Sequence, residues 1–163
     1  QAGSIADVLT TSDSSVRASI GSGNRYDALT IRGFRVDNDE IALNGLYGLV
    51  PAYRINPDPV ERIEVLRGAG AFLNGMLPWG SVGGSVNIVT KRADDAPLTR
   101  ITTEYASDSR WGGHLDLGRR FGDQNQYGLR VNGAFRGGQP RIDGQSTQNG
   151  SGSLGLDYRG DRL

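Results

Sequence analysis

Hydrophobic and polar positions follow two different rules along this chain, and the change falls near residue 97. Before it, short apolar runs are separated by glycine and proline, which predicts short strands and turns. Thr30-Ile31-Arg32, Ile41-Ala42-Leu43, Arg62-Ile63-Glu64-Val65-Leu66 and Val86-Asn87-Ile88-Val89-Thr90 are the strand candidates. Ser4, with Asp7 three positions on, fits a capping box, and Ile5, Val8 and Leu9 give the following turns an apolar stripe, so a brief helix is expected there, ended by Ser12 to Ser15. A second short helix is expected from Ala69 to Leu73. The reading for residues 1–97 is a small α+β domain.

After the Asp94-Asp95-Ala96-Pro97 turn the rule is alternation. Ile101, Thr103 and Tyr105 oppose Thr102 and Glu104; Leu115, Leu117 and Phe121 oppose His114, Asp116 and Arg120, with Arg119 breaking the apolar side. Tyr127, Leu129, Val131 and Phe135 then oppose Arg130, Asn132 and Arg136, and Leu154, Leu156 and Tyr158 oppose Asp157 and Arg159. Strands of about ten residues, alternating with period two, ended by aromatics and joined alternately by short and long polar links, match the pattern of a transmembrane β-barrel. A soluble antiparallel sheet with one face on a core alternates too. Residues 98–163 are therefore expected to be four antiparallel strands, too few for a closed barrel.

Composition narrows the function classes. The 25 glycines and 7% aromatics suit turns and extended chain better than a helical bundle. Eighteen basic and eighteen acidic residues cancel, which gives no field for nucleic acid. The absence of cysteine and the single histidine, His114, speak against a thiolate or histidine metal site, so no metal or cofactor is expected. No apolar run reaches the roughly 18 residues of a membrane-spanning helix, which leaves a barrel as the route to a membrane. The first residues lack the charged and apolar regions of a signal peptide, so a mature or excised segment is expected. The glycine clusters at 68–70 and 80–84 have no Gly-Lys-Ser/Thr, which speaks against nucleotide binding. Glu61 and Glu64, three apart on a strand, point to opposite faces and cannot flank one bond.

Pro59-Val60-Glu61-Arg62-Ile63-Glu64-Val65-Leu66-Arg67-Gly68, followed by Gly83-Gly84-Ser85-Val86-Asn87-Ile88-Val89-Thr90-Lys91-Arg92, resembles the hallmark of TonB-dependent receptor plugs. Upstream, Ile5-Ala6-Asp7-Val8-Leu9, Thr30-Ile31-Arg32-Gly33-Phe34 and Asn44-Gly45-Leu46 are similar to the family's first helix, arginine-glycine strand end and following turn, and the form of the Arg32-Gly33-Phe34 segment and of the Val86-Asn87-Ile88-Val89-Thr90-Lys91-Arg92 ending is most similar to siderophore receptors. Ala69 replaces a usual proline, and Ser81-Val82-Gly83-Gly84 replaces a Ser-Pro-Gly-Gly turn. The TonB-contacting segment is not recognisable before Ser4.

The resemblance implies an α+β plug domain over residues 1–97, followed over 98–163 by the first four strands of an incomplete transmembrane β-barrel. It implies uptake of a ferric siderophore across a Gram-negative outer membrane, with TonB and membrane lipid as partners and no enzymatic step. The siderophore holds its own iron, so no protein ligands to metal are required. Cobalamin, haem or an oligosaccharide are alternative cargoes, and a soluble β-rich binding module is the alternative outside the family. By analogy the outward loops are 22–26, 36–40 and 50–54, with Tyr53 as the leading ligand contact and Asn24 and Arg25 beside it. An arginine expected at position 20 for a ferrichrome-type site is Ile20 instead. Arg32 and Arg67 match plug arginines that pair with glutamates inside the barrel, while Phe72 and Trp79 are expected to pack within the plug. The plainer readings are a packed loop aromatic for Tyr53, solvated turn residues for Asn24 and Arg25 and exposed strand-end charges for the arginines.

Overall fold

The computed structural model describes residues 4–20, 26–51, 53–68, 82–106, 110–138 and 147–160. Contacts divide the chain into two units, Gln1–Thr90 and Lys91–Leu163.

In the first unit the helix α1, Ile5–Ser12, starts at Ser4, whose hydroxyl accepts the Asp7 N–H. Its Ile5, Ala6 and Leu9 are buried. The helix ends where the Asp13 N–H donates to the Leu9 carbonyl. Three short antiparallel strands follow, β1 (Val16–Ala18), β2 (Leu29–Ile31) and β3 (Phe34–Val36), in the order β1-β2-β3. Ile31 pairs with Phe34, so the β2–β3 hairpin turns in two residues. Both have positive φ, 54° at Arg32 and 89° at Gly33, the requirement of a type I′ turn, which matches the twist of the flanking strands. A second sheet places β6 (Gly84–Thr90) between β4 (Ile41–Leu43), parallel to it, and β5 (Val60–Arg67), antiparallel to it. Ile5, Leu9, Val16, Leu29, Ile31, Val36, Ile41, Val86 and Ile88 form one buried cluster, which unites α1 with both sheets. Burying each of the larger ones contributes about 1.5–3 kcal/mol. The helix expected over 69–73, together with Phe72 and Trp79, lies outside the described residues.

The second unit is an antiparallel meander of β7 (Leu98–Ala106), β8 (Arg110–Phe121), β9 (Tyr127–Gly138) and β10 (Thr147–Tyr158), in the order β10-β9-β8-β7. Register fixes its faces, because directly opposite residues share a side. Leu117, Val131 and Leu154 form one row, and Phe121, Tyr127 and Tyr158 another, on the apolar face. Asp116, Asn132 and Ser153 align on the other face. The burial is the reverse of a soluble sheet. Asp116, Arg130 and Asn132 are buried, at 0%, 4% and 5% exposure, whereas Ile101, Trp111, Phe135, Leu154, Leu156 and Tyr158 are exposed. Aromatic pairs mark both ends of the exposed face: Trp111 with Phe135, centroids 5.2 Å apart, and Tyr127 with Tyr158, 5.3 Å apart. From Trp111 to Phe121, β8 covers ten residue steps, roughly 33 Å of strand, which at the usual tilt of about 40° stands about 25 Å tall, the height of a barrel's apolar band. Arg119, the charge on this face, turns back to donate to the Leu98 and Gly118 carbonyls and the Thr99 hydroxyl.

Residues 91–97 group with this second unit. Lys91, Ala93, Asp94 and Asp95 bond to side chains of the meander and of the residue that follows it.

Candidate ligand-binding site

Two tyrosines carried by separate loops meet on the first unit. The rings of Tyr26 and Tyr53 are 5.5 Å apart and 22° from parallel, and each is about half exposed, at 48% and 55%. Their chain neighbours hold them. Asp27, next to Tyr26, is buried; its carboxylate accepts the Ile55 N–H at 3.1 Å and faces the Arg54 Nε at 3.4 Å. Arg54, next to Tyr53, also lies 3.7 Å from Asp7 and 3.5 Å from the Ser4 hydroxyl. Asn38 donates from its side-chain amide to the Pro51 and Tyr53 carbonyls, at 3.2 and 2.8 Å, which ties the short 3₁₀ turn Asn38–Glu40 to the tyrosine loop. The ring pair therefore sits on a charge-paired base. Beside that base is a cavity of about 250 Å³ whose lining includes Ala18, Ile20, Asp27 and Arg54.

Such a surface offers two flat apolar faces and two phenolic hydroxyls to a bulky ligand. Sequence reading singled out Tyr53 but not Tyr26. The available signal was a matched pair of dipeptides, Tyr26-Asp27 and Tyr53-Arg54, whose charges can pair when their rings stack. Asn24 and Arg25, the other expected contacts, lie outside the described residues. No group of three metal-type side chains is assembled among the described residues.

Arg32 and Arg67 converge on Ser15. The Arg32 N–H donates to the Ser15 carbonyl at 2.9 Å, and the Arg67 Nε donates to the Ser15 hydroxyl at 3.1 Å. Arg67 also meets Asp13 at 2.6 Å. Asp13 accepts the Ser15 N–H and hydroxyl as well, and these bonds, followed by the guanidinium of Arg67, hold its carboxyl down to about 2 from 3.8. The Arg32 side chain is exposed and makes no hydrogen bond or ion pair with another described residue. Its left-handed backbone is one that an arginine adopts at a cost of about 1–2 kcal/mol, where glycine or asparagine would sit more easily. Gly83 packs behind this hairpin, where an added Cβ would lie 2.5 Å from the Ile31 carbonyl. On β5, Glu64 has its carboxyl lowered by the Asn87 side-chain amide and then by Arg62, which makes it a structural acceptor between strands.

Residues 1–85 match the family model for the TonB-dependent receptor plug domain. The chain is 49% identical over 163 residues to the ferrichrome receptor FcuA of Yersinia enterocolitica, with 99% of this chain and 21% of that protein aligned. It is 32% identical over 133 residues to the ferrichrome outer membrane transporter/phage receptor of Escherichia coli, covering 78% of this chain and 17% of that one. Among solved structures, that of BauA, the ferric preacinetobactin receptor of Acinetobacter baumannii, superposes with a TM-score of 0.90 at 45% identity, covering 99% of this chain and 24% of BauA. This chain thus spans about a fifth of the length of the curated relatives it matches.

Proposed function

This chain belongs to the TonB-dependent receptor plug family, and from that premise we propose that it supplies the plug and the opening barrel strands of an outer-membrane receptor for ferric siderophores in a Gram-negative bacterium. The observation that carries the membrane part is the inverted sheet: ionic and amide side chains buried on one face, aliphatic rows between two aromatic belts exposed on the other. A soluble binding module would cover that apolar face, because exposed patches of this extent mark an interface or a lipid contact. In the receptor, lipid meets the apolar face and the polar face lines the lumen.

The ligand part rests on the Tyr26–Tyr53 pair, with Asn24 and Arg25, which precede Tyr26 in sequence, as further proposed contacts. The cargo carries its iron in its own oxygen donors, so recognition falls to rings, amides and charges, and the chain transports without transforming. Arg32 and Arg67 serve as contacts between plug and barrel wall, and TonB supplies the energised rearrangement that admits the ligand. Relatives that take ferrichrome and preacinetobactin support siderophore cargo over haem, cobalamin or oligosaccharide. Equilibrium binding of the full-length receptor to each of these classes tests the reading. Saturable binding of a ferric siderophore, without binding of the other three, is the expected result.

A further inference from the structure

The polar face of the β7–β10 sheet is shaped to hold residues 91–95. Arg130 grips Asp116 through two bonds, Nε to Oδ1 at 2.6 Å and Nη2 to Oδ2 at 3.0 Å, and the same guanidinium donates from Nη1 to the Arg92 carbonyl at 3.1 Å and to Asp94 at 3.4 Å. Lys91 reaches Asp116 at 3.3 Å and Asn132 at 3.4 Å. Arg120, fixed by Asp157 at 2.8 Å, donates to the Ala93 carbonyl at 2.9 Å. Arg159 closes the segment's far end on Asp95 at 2.6 Å. Ala93 is 1% exposed at the centre.

Glycines make the room. Arg130 stands in register between Gly118 on β8 and Gly155 on β10, and Gly128 stands between Arg120 and Asp157. A Cβ at Gly118 would lie 3.1 Å from the Arg130 guanidinium, and one at Gly155 3.1 Å from the Lys91 carbonyl. At Gly128 it would meet the Asp157 carboxylate and the Arg120 guanidinium. Small and long side chains therefore alternate across the strands, so that the arginines lie flat and donate to the backbone of the segment crossing them. A merely solvated polar face needs neither the glycines nor main-chain acceptors.

We propose that residues 91–95 are a strap fixed to the strand sheet, which opens only when the sheet opens, so that loosening of the first unit stops at the Thr90–Lys91 junction. The proposal goes beyond the transport reading and does not depend on the cargo. Residues 1–163 contain no cysteine, so in a full-length receptor whose cysteines outside this segment, where present, are replaced by serine, single introduced cysteines report on each side of the junction. Val86, 0% exposed in the first unit, and Ala93 are the two positions. Labelling by a maleimide under native conditions reads the opening of each. Ala93→Cys is expected to label about tenfold more slowly than Val86→Cys. Asp116→Asn, Arg130→Met or Gly155→Ala should each erase that difference by speeding Ala93→Cys alone. Equal or faster labelling of Ala93→Cys in the otherwise native receptor overturns the proposal, whatever the added variants do. So does a difference that persists in every added variant that assembles. Ferric siderophore binding, measured on the same proteins, reports separately on the transport reading.

Discussion

The guanidinium of Arg67, at the end of β5, meets the carboxylate of Asp13, the residue that ends α1, at 2.6 Å. An acid at a helix C-terminus opposes the helix dipole, so this carboxylate needs the donors gathered around it. They hold its carboxyl at about 2 instead of 3.8. A carboxyl depressed in the folded state adds stability above its unfolded value and loses it as the pH falls through the folded one. The contribution of Asp13 is thus complete above about pH 4 and fades toward pH 2. Asp13→Asn should flatten the pH dependence of the urea midpoint across that window, and an unchanged slope would show that Asp13 is not a titrating contact.

Arg32 adopts a backbone that favours glycine, and its side chain makes no bond with another described residue. If the side chain is kept for a partner in the barrel, Arg32→Gly should relieve strain, leaving plug stability unchanged or raised by about 1 kcal/mol, while uptake falls. Denaturation and transport measured on one variant separate the two effects. Lower stability together with normal uptake would make Arg32 a structural residue.

Tyr26→Ala and Tyr53→Ala should each weaken siderophore binding about tenfold, near 1.4 kcal/mol. The double variant should lose less than the sum, because each ring orders the other. Titration of the full receptor checks this, and full additivity would mean that the rings act alone.

Leu154 is exposed in the middle of the apolar face. At an exposed site in water, Leu154→Arg is worth within about ±0.5 kcal/mol; at the bilayer midplane it costs about 2–4 kcal/mol. Folding into lipid vesicles followed by urea titration discriminates, and a negligible cost there would favour a soluble sheet.

Much of this was legible in the sequence because a pleated strand assigns every second residue to one face. All four stretches of alternation became β7–β10, and the apolar runs near 30, 41, 63 and 88 became β2, β4, β5 and β6. Val16–Ala18 and Phe34–Val36 were missed, since three residues, most of them exposed, carry too little period to read. Tyr26 was hidden because stacking depends on a loop far along the chain. The grouping of 91–97 with the sheet was hidden for the same reason. Its partners, Asp116, Arg120 and Arg130, show in sequence only as the polar half of an alternation, which reads equally well as a solvated face.

Energised uptake tests the central claim most directly. Cells whose only ferric siderophore receptor is the full-length protein should accumulate labelled iron from its siderophore, and accumulation should vanish when TonB is deleted or the proton-motive force is collapsed, while binding at the surface persists. Accumulation that survives the loss of TonB, or a receptor that binds no ferric siderophore, would contradict the account.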